Sequence, residues 1–319
     1  MLDVVALGEL LIDFTCISAD ADGYPTMAAH PGGAPANYLA AVTKFGGKTA
    51  MLGKVGTDAF GKLLTGTLEK AGIDTRGLIA TPDVFTTLAF VTLDETGNRE
   101  FSFARKPGAD TCIGTDEVRY DLLDETKVLH FGTLSLTDEP SRSATWEAAR
   151  LAKAAGALIS YDPNYRASLW PDEETAKRQM RSLIPYVDLM KISDEETELL
   201  TGEKDAKKAA EALCCQGVKV VAVTMGGDGA YIYCRDGGSL VPGFQAERIG
   251  DTNGAGDSFW GGFLYKISTS EKRLQELAKE ELVEYARFGN AVASLCVEKK
   301  GAIPAMPTLA QVETRMKRA

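Results

Sequence analysis

The feature that most limits what this 319-residue chain can fold into is a rhythm of short apolar runs. VVALGELLI (4–12), KVLHFGTLSL (127–136), ALISYD (157–162), VDLMKIS (187–193) and VKVVAVT (218–224) are near-continuously apolar, the pattern of strands covered on both faces. Helical stretches of roughly 12–18 residues separate most of them. PANYLAAVTKF (35–45) reads as a helix, with Pro35 near its first turn and Gly46-Gly47 as its stop. Thr57-Asp58 caps another that runs to Gly72. Strand and helix in alternation predict an α/β fold: a doubly wound, mostly parallel sheet flanked by helices.

One region breaks the rhythm. TTLAFVTL (86–93), DETG (94–97) and NREFSFAR (98–105) read as strand, turn and strand. In the second strand, period two puts Arg99, Phe101, Phe103 and Arg105 on one face. Residues 15–33 also fit poorly with helix. Both segments are expected to form a small β-lid over one edge of the main domain. The expected division is therefore 1–14, 34–85 and 106–319 for the main domain, with 15–33 and 86–105 for the lid.

Composition excludes several classes of function. Lys plus Arg is 35 and Asp plus Glu is 45, so the formal charge is 35 − 45 = −10, which argues against nucleic-acid or anionic-membrane partners. It leaves room for an anionic ligand, because a helix N-terminus binds phosphate without net positive charge. The six cysteines contain no C-x-x-C pair and fit no zinc motif; they read as reduced thiols of a cytoplasmic protein. Two histidines make a histidine-based triad or a multi-histidine metal centre improbable. The N-terminus carries Asp3 and Glu9 and no basic region, so it reads as a first strand, not a signal peptide. No run reaches about 18 uninterrupted apolar residues, so no membrane span is expected.

The chemistry concentrates at DTNGAGDSF (251–259). Gly254-Ala255-Gly256 lets backbone approach a ligand closely, and a helix starting there presents unpaired N–H groups as an anion hole. Asp257 would sit in the first turn. A carboxylate beside an anion hole is awkward if both only bind phosphate. It makes sense if Asp257 takes a proton from a hydroxyl while the amides stabilise a transferring group. The alternative, an acid that favours the helix dipole, is equally compatible with these four residues alone. Two nucleotide motifs fail. Gly47-Lys48-Thr49 resembles the tail of a P-loop, but Val42 stands where the first glycine belongs. GAGDSF puts Phe259 where a dinucleotide fingerprint needs a small residue, which weighs against a dinucleotide oxidoreductase. Further polar sets follow the other runs: Asp13, Gly32 to Asn37, Asp162 to Arg166, Ser193 to Glu196, and Thr224 to Gly229. Open parallel sheets bind ligands at that rim.

With these residues in view, GGAPANYLA near residue 32 and DTNGAGDSFWGG near residue 251 resemble the two signatures of the ribokinase-like carbohydrate kinases. The resemblance runs from GELLIDF (8–14) to KKGAIPAMP (299–307), and within the family GELLIDF, REFSFAR, DPNYR and KISDEE look most like the fructokinase branch. It implies a small β-lid on a doubly wound domain and transfer of the ATP γ-phosphoryl group to the C6 hydroxyl of fructose. By position, Asp257 matches the general base and Gly254, Ala255 and Gly256 the anion hole. Asp13, Gly33, Asn37, Phe103 and Arg105 match sugar contacts. Asn164, Arg166, Ser193, Thr224, Gly226, Gly229 and Asn290 match positions around the nucleotide. Glu196 matches the acid that organises Mg²⁺, largely through water, and Asp251 and Asn253 the place where many relatives hold an activating monovalent cation such as K⁺. The resemblance also implies a homodimer paired through the lid. The chain departs from the family's N-x-x-E, which is Ser193-Asp194-Glu195-Glu196 here, and after REFSF it has Ala104-Arg105-Lys106. A kinase for 2-keto-3-deoxygluconate, a ribokinase, and a catalytically silent sugar sensor are the alternative readings.

Overall fold

A computed structural model of the chain describes residues 1–93 and 99–318. A nine-stranded sheet forms its centre. In chain order the strands are β1 (Leu2–Leu7), β4 (Thr49–Gly56), β5 (Asp74–Thr81), β8 (Thr126–Phe131), β9 (Leu158–Tyr161), β10 (Leu189–Ser193), β11 (Val220–Thr224), β12 (Gly229–Cys234) and β13 (Gly237–Pro242). Their spatial order is β13-β12-β11-β10-β9-β8-β1-β4-β5. The seven strands from β11 to β5 run parallel, and β12 and β13 add an antiparallel hairpin at one edge. This is the doubly wound sheet expected from the rhythm of the runs.

Period two divides the core into two layers. Along β1, Val4 and Ala6 face α1 (Ala34–Lys44), α7 (Ala255–Thr269) and α8 (Lys279–Cys296). Val5 and Leu7 face the opposite layer, which contains α3 (Ser141–Ala154), α4 (Glu173–Ser182) and α6 (Ala206–Cys215). All four side chains are fully buried. Each buried Val or Leu contributes roughly 1.5–3 kcal/mol relative to exposure. α2 (Ala59–Ala71) begins at its predicted cap: Asp58 Oδ1 accepts the N–H groups of Phe60 and Gly61, and Gly72 ends the helix in the left-handed conformation. The short α5 (Thr197–Thr201) follows β10, and α9 (Leu309–Lys317) closes the described chain. Among the described residues no helix is long and apolar enough to cross a membrane.

The smaller sheet has the order β3-β2-β6-β7, with β2 at Leu11–Ala19, β3 at Pro25–Gly32, β6 at Leu88–Leu93 and β7 at Arg99–Ala104. The predicted turn DETG lies outside the described residues. One boundary differs from expectation. The run 4–12 is not one strand: the chain leaves the main sheet at Gly8-Glu9-Leu10 and enters the small sheet at Leu11. Asp13, expected at the end of the first strand, is therefore in β2, paired with His30 of β3 and Ala89 of β6. Both strands are apolar and no turn residue other than Gly8 separates them, so the run carried little sign of the break.

Candidate active site

Strand order reverses between β1 and β8, and ligand crevices in open α/β sheets form at the carboxyl ends beside such a point. Two cavities meet there. A small one, about 80 Å³, lies between the small sheet and the first turns of α1 and α7. A larger groove, about 1180 Å³, runs over the ends of β10 and β11. Gly254, Asp257, Asn164 and Arg166 line both.

The junction is built by the start of α7. Gly254 is its N-cap, with φ of 73°, and no side chain caps it. A Cβ at Gly254 would come within 2.5 Å of the Ala302 Cβ, so the position demands glycine on two counts. The N–H groups of Gly256 and Asp257, in the first turn, have no intrahelical acceptor, and both residues line the groove. Asp257 is buried beside them, and Asn37 Nδ2 donates to its Oδ2 at 2.8 Å. Burial raises the Asp257 pKa above that of an ordinary aspartate, against the opposing pull of the Asn37 hydrogen bond and the Lys191 charge. A carboxylate tuned upward in this way is a better proton acceptor near neutral pH.

Behind the junction lies a buried charge network that the sequence did not suggest. Lys191 Nζ binds Asp162 Oδ2 at 2.9 Å, with both side chains almost completely buried. The Tyr38 hydroxyl donates to the same Asp162 oxygen, and Asn164 Nδ2 donates to the Tyr38 hydroxyl at 2.8 Å. Burial alone would depress the Lys191 ammonium, but Asp162, Glu196 and Asp257 outweigh it and its pKa is raised. A Cβ on Gly256 would stand 2.9 Å from Lys191 Nζ, so this fixed positive charge sits close to the first turn of α7.

The small cavity is lined by Glu9, Asp13, His30, Gly33, Asn37, Phe101 and Phe103 among others. β7 projects Phe101 and Phe103 over it as a stacked pair, centroids 6.2 Å apart, as the period-two reading expected. Arg166 lies over the Phe101 ring at 4.9 Å, bridging the small sheet and the groove. Gly33 has φ of 110°, and a Cβ there would meet the Glu9 carbonyl oxygen at 2.5 Å. Gly33 is the N-cap of α1, and Asn37 in the first turns of that helix has its Oδ1 buried without a partner.

Several expected site residues lie elsewhere. Arg105 does not line either cavity. β7 ends at Ala104, and Arg105 turns into the core, where Nε donates to Asp110 Oδ2 at 2.8 Å, Nη1 to Thr137 Oγ1 at 2.8 Å and Nη2 to the Leu134 carbonyl at 2.7 Å. Asn290 lines neither cavity; its Nδ2 donates to the carbonyls of Val241 and Pro242, tying α8 to β13. Gly226 and Gly229 form the turn after β11 and line neither cavity; a Cβ on Gly229 would meet the Val241 carbonyl oxygen at 2.2 Å. Ser193 and Thr224 do line the groove. Glu196 is not among the residues that line it. Its two oxygens accept the N–H groups of Tyr165 at 2.7 Å and Ser193 at 2.9 Å, and burial raises its pKa. Asp251 and Asn253 line both cavities, and Asp251 Oδ1 accepts the Asn253 N–H at 2.9 Å. Glu9, His30 and Lys191 are among the lining residues that sequence reasoning did not name as candidates.

The chain as a whole has close counterparts. A model of the pfkB family carbohydrate kinases matches residues 1–309. Fructokinase-2 of Solanum lycopersicum is 43% identical over 317 residues, covering 98% of this chain and 96% of that protein. Fructokinase-1 of Zea mays is 41% identical over 312 residues, covering 97% and 96%. The crystal structure of fructokinase with bound ATP from Xylella fastidiosa is similar at a TM-score of 0.91 and 32% identity, covering 100% of this chain and 99% of that one. A double mutant of the fructokinase from Vibrio cholerae O395, in fructose, ADP and potassium ion bound form, has a TM-score of 0.87 and 29% identity, with 98% of each chain covered.

Proposed function

This chain belongs to the pfkB family of carbohydrate kinases, and from that premise we propose that it transfers the γ-phosphoryl group of ATP to the C6 hydroxyl of fructose. The observation that carries the reading is the position of Asp257: one buried carboxylate lining both a small polar cavity and a large groove, beside the free amides of a helix start. The cavity takes the sugar and the groove takes the nucleotide. Asp257 orients the sugar hydroxyl and accepts its proton as the oxygen attacks the γ-phosphorus in line. The amides of Gly256 and Asp257 stabilise the charge on the transferring phosphoryl oxygens. Lys191, immobilised by Asp162, adds a fixed positive potential beneath them. Phe101 and Phe103 close the sugar side and exclude water, which protects ATP from wasteful hydrolysis.

The donor set fits a divalent cation carried by the nucleotide better than one held by the protein alone. Among the described residues no three His, Cys, Asp or Glu side chains cluster to hold a metal. Glu195 and Asp251 line the groove while Glu196 fixes the backbone behind it, and Mg²⁺ commonly binds through one or two carboxylates, water and substrate phosphates. When bound, it supplies charge neutralisation to the phosphates. Asp251 and Asn253 would hold a monovalent cation beside the anion hole.

Arg105 bears on the choice of sugar. Its guanidinium is committed to Asp110, Thr137 and Leu134, so it has no charge to offer the carboxylate of an acid sugar. Asp13, Asn37 and Asp257 suit hydroxyls, and mispaired buried groups discriminate strongly. A coupled ADP-release assay over fructose, ribose, glucose, mannose and 2-keto-3-deoxygluconate tests the reading. The expected kcat/KM for fructose exceeds that for 2-keto-3-deoxygluconate by at least ~10²-fold. A preference for the acid sugar moves the assignment to the sister kinase, and no turnover of any sugar favours a silent sensor.

A further inference from the structure

Glu9 is the polar residue at this site for which the mechanism has no use. It sits between β1 and β2 and is only 3% exposed. Oε1 accepts the Ala34 N–H at 3.0 Å, which ties it to the first turn of α1. Oε2 has no hydrogen-bond partner, and the residue lines the small cavity. An orphaned carboxyl oxygen in a buried position is costly unless a ligand completes it.

We infer that Glu9 acts as a protonated acid whose Oε2–H donates to a hydroxyl oxygen of the bound sugar, making it a specificity-determining contact of the sugar cavity. The inference rests on the kinase reading above. The surroundings favour the neutral form. On the cavity side stand Asp13 of β2, His30 of β3, Asp257 of α7, Asp251 before α7 and Arg166 after β9. Asp110 and Arg105 lie behind it, and the Arg105 charge is committed to Asp110 at 2.7 Å. Burial is the largest influence and Asp110 adds to it; the backbone N–H groups of Glu9 and Ala34 and the Arg105 guanidinium do not compensate, and the Glu9 pKa is pushed up to about 8. Protonation also answers a shortage in the cavity. Asn37 Oδ1 and the Asp257 carboxylate are acceptors, yet each sugar hydroxyl also has lone pairs that need a donor. With Oε1 taken by Ala34, the proton belongs on Oε2, the atom left for the ligand. The same geometry would be met by a carboxylate that only pins α1, so the test must separate the two roles.

The decisive measurement is the pH dependence of sugar binding, run with whichever sugar of the panel is turned over. For the native protein, the sugar KM should rise about tenfold between pH 7 and pH 9.5 as the donor is lost, with the ATP KM unchanged. Glu9→Gln keeps an acceptor for Ala34 and a donor for the sugar but does not ionise. Its sugar KM should lack the alkaline rise, staying within about threefold of its own pH 7 value up to pH 9.5. Calorimetric titration of the native protein at pH 8.5, in buffers of different ionisation enthalpy, should show uptake of a fraction of a proton on sugar binding. That readout does not depend on any variant folding. A native KM flat to pH 9.5, an alkaline rise that persists in Glu9→Gln, or sugar binding without proton uptake each overturns the inference while leaving the kinase reading intact. A protein that turns over no sugar but binds one with proton uptake would retain the Glu9 contact and overturn the kinase reading.

Discussion

Asp257 shows how one residue can stand out as a candidate in sequence while its setting stays hidden. Its motif is local: small residues, a helix start and an acid three positions after Gly254. The geometry adds that the carboxylate is buried, held by Asn37 and under the influence of Lys191. Asp257→Asn keeps size and polarity and removes the proton acceptor. We expect kcat to fall by roughly 10²-fold or more with ATP affinity retained. Because burial raises the Asp257 pKa, the acid limb of the native kcat profile should lie above the range of an exposed aspartate, and steady-state kinetics with calorimetric ATP titration checks both. Near-normal turnover in the variant would remove Asp257 from its role. Glu9 and Lys191 were not legible as site residues, since their chemistry arises from burial by distant segments. The only signal was a charge inside an otherwise apolar run, GELLI and LMKIS, where each was read simply as part of a strand.

At the scale of elements, the small sheet was legible in outline and misread in detail. Period two correctly placed Phe101 and Phe103 together over the cavity, but the alternation was carried one residue past the end of β7. Arg105 there obeys a buried ion pair instead of the pleat. β4 went unread because Lys54 and two glycines interrupt its run, although Lys54 is nearly buried and paired with Glu117 at 2.6 Å. The break between β1 and β2 was hidden because apolar residues flank it on both sides. The position of Arg105 changes what its removal should do. Arg105→Ala leaves Asp110 buried without its partner, a loss of about 3–5 kcal/mol. Urea unfolding should register that loss, while the fructose KM of the folded protein stays within about threefold of native. A variant with native stability and a fructose KM raised tenfold or more would restore Arg105 to the sugar.

Across the whole molecule, α1, α7, β8 and β9 converge on His130. It is fully buried on β8, its Nδ1 shares a 2.9 Å hydrogen bond with Ser160 Oγ of β9, and Trp260 Nε1 of α7 donates to that same hydroxyl. The Tyr38 ring of α1 packs edge-on at 4.1 Å. Burial, and then the Lys191 charge, hold the His130 pKa down to about 3, against 6.5 in an unfolded chain. Between those values the unfolded chain binds a proton that the folded chain does not, so stability is lost as pH falls from 6.5 toward 3. His130→Gln should flatten the decline in Tm between pH 6.5 and pH 4 relative to native, read by thermal unfolding at several pH values; an unchanged slope would assign the decline to other groups. The hydrogen bond from Asn37 to Asp257 joins residues 220 positions apart. At roughly 5–20 residues per second, a ribosome needs about 10–45 s to deliver the second partner after the first. During that interval α1 has emerged without α7, the helix it packs against, and its apolar face is open to wrong partners. Emerging chains of this protein therefore pass through a stage at which much of the sheet can exist and the reaction centre cannot, and a chaperone that shields α1 would act in that stage.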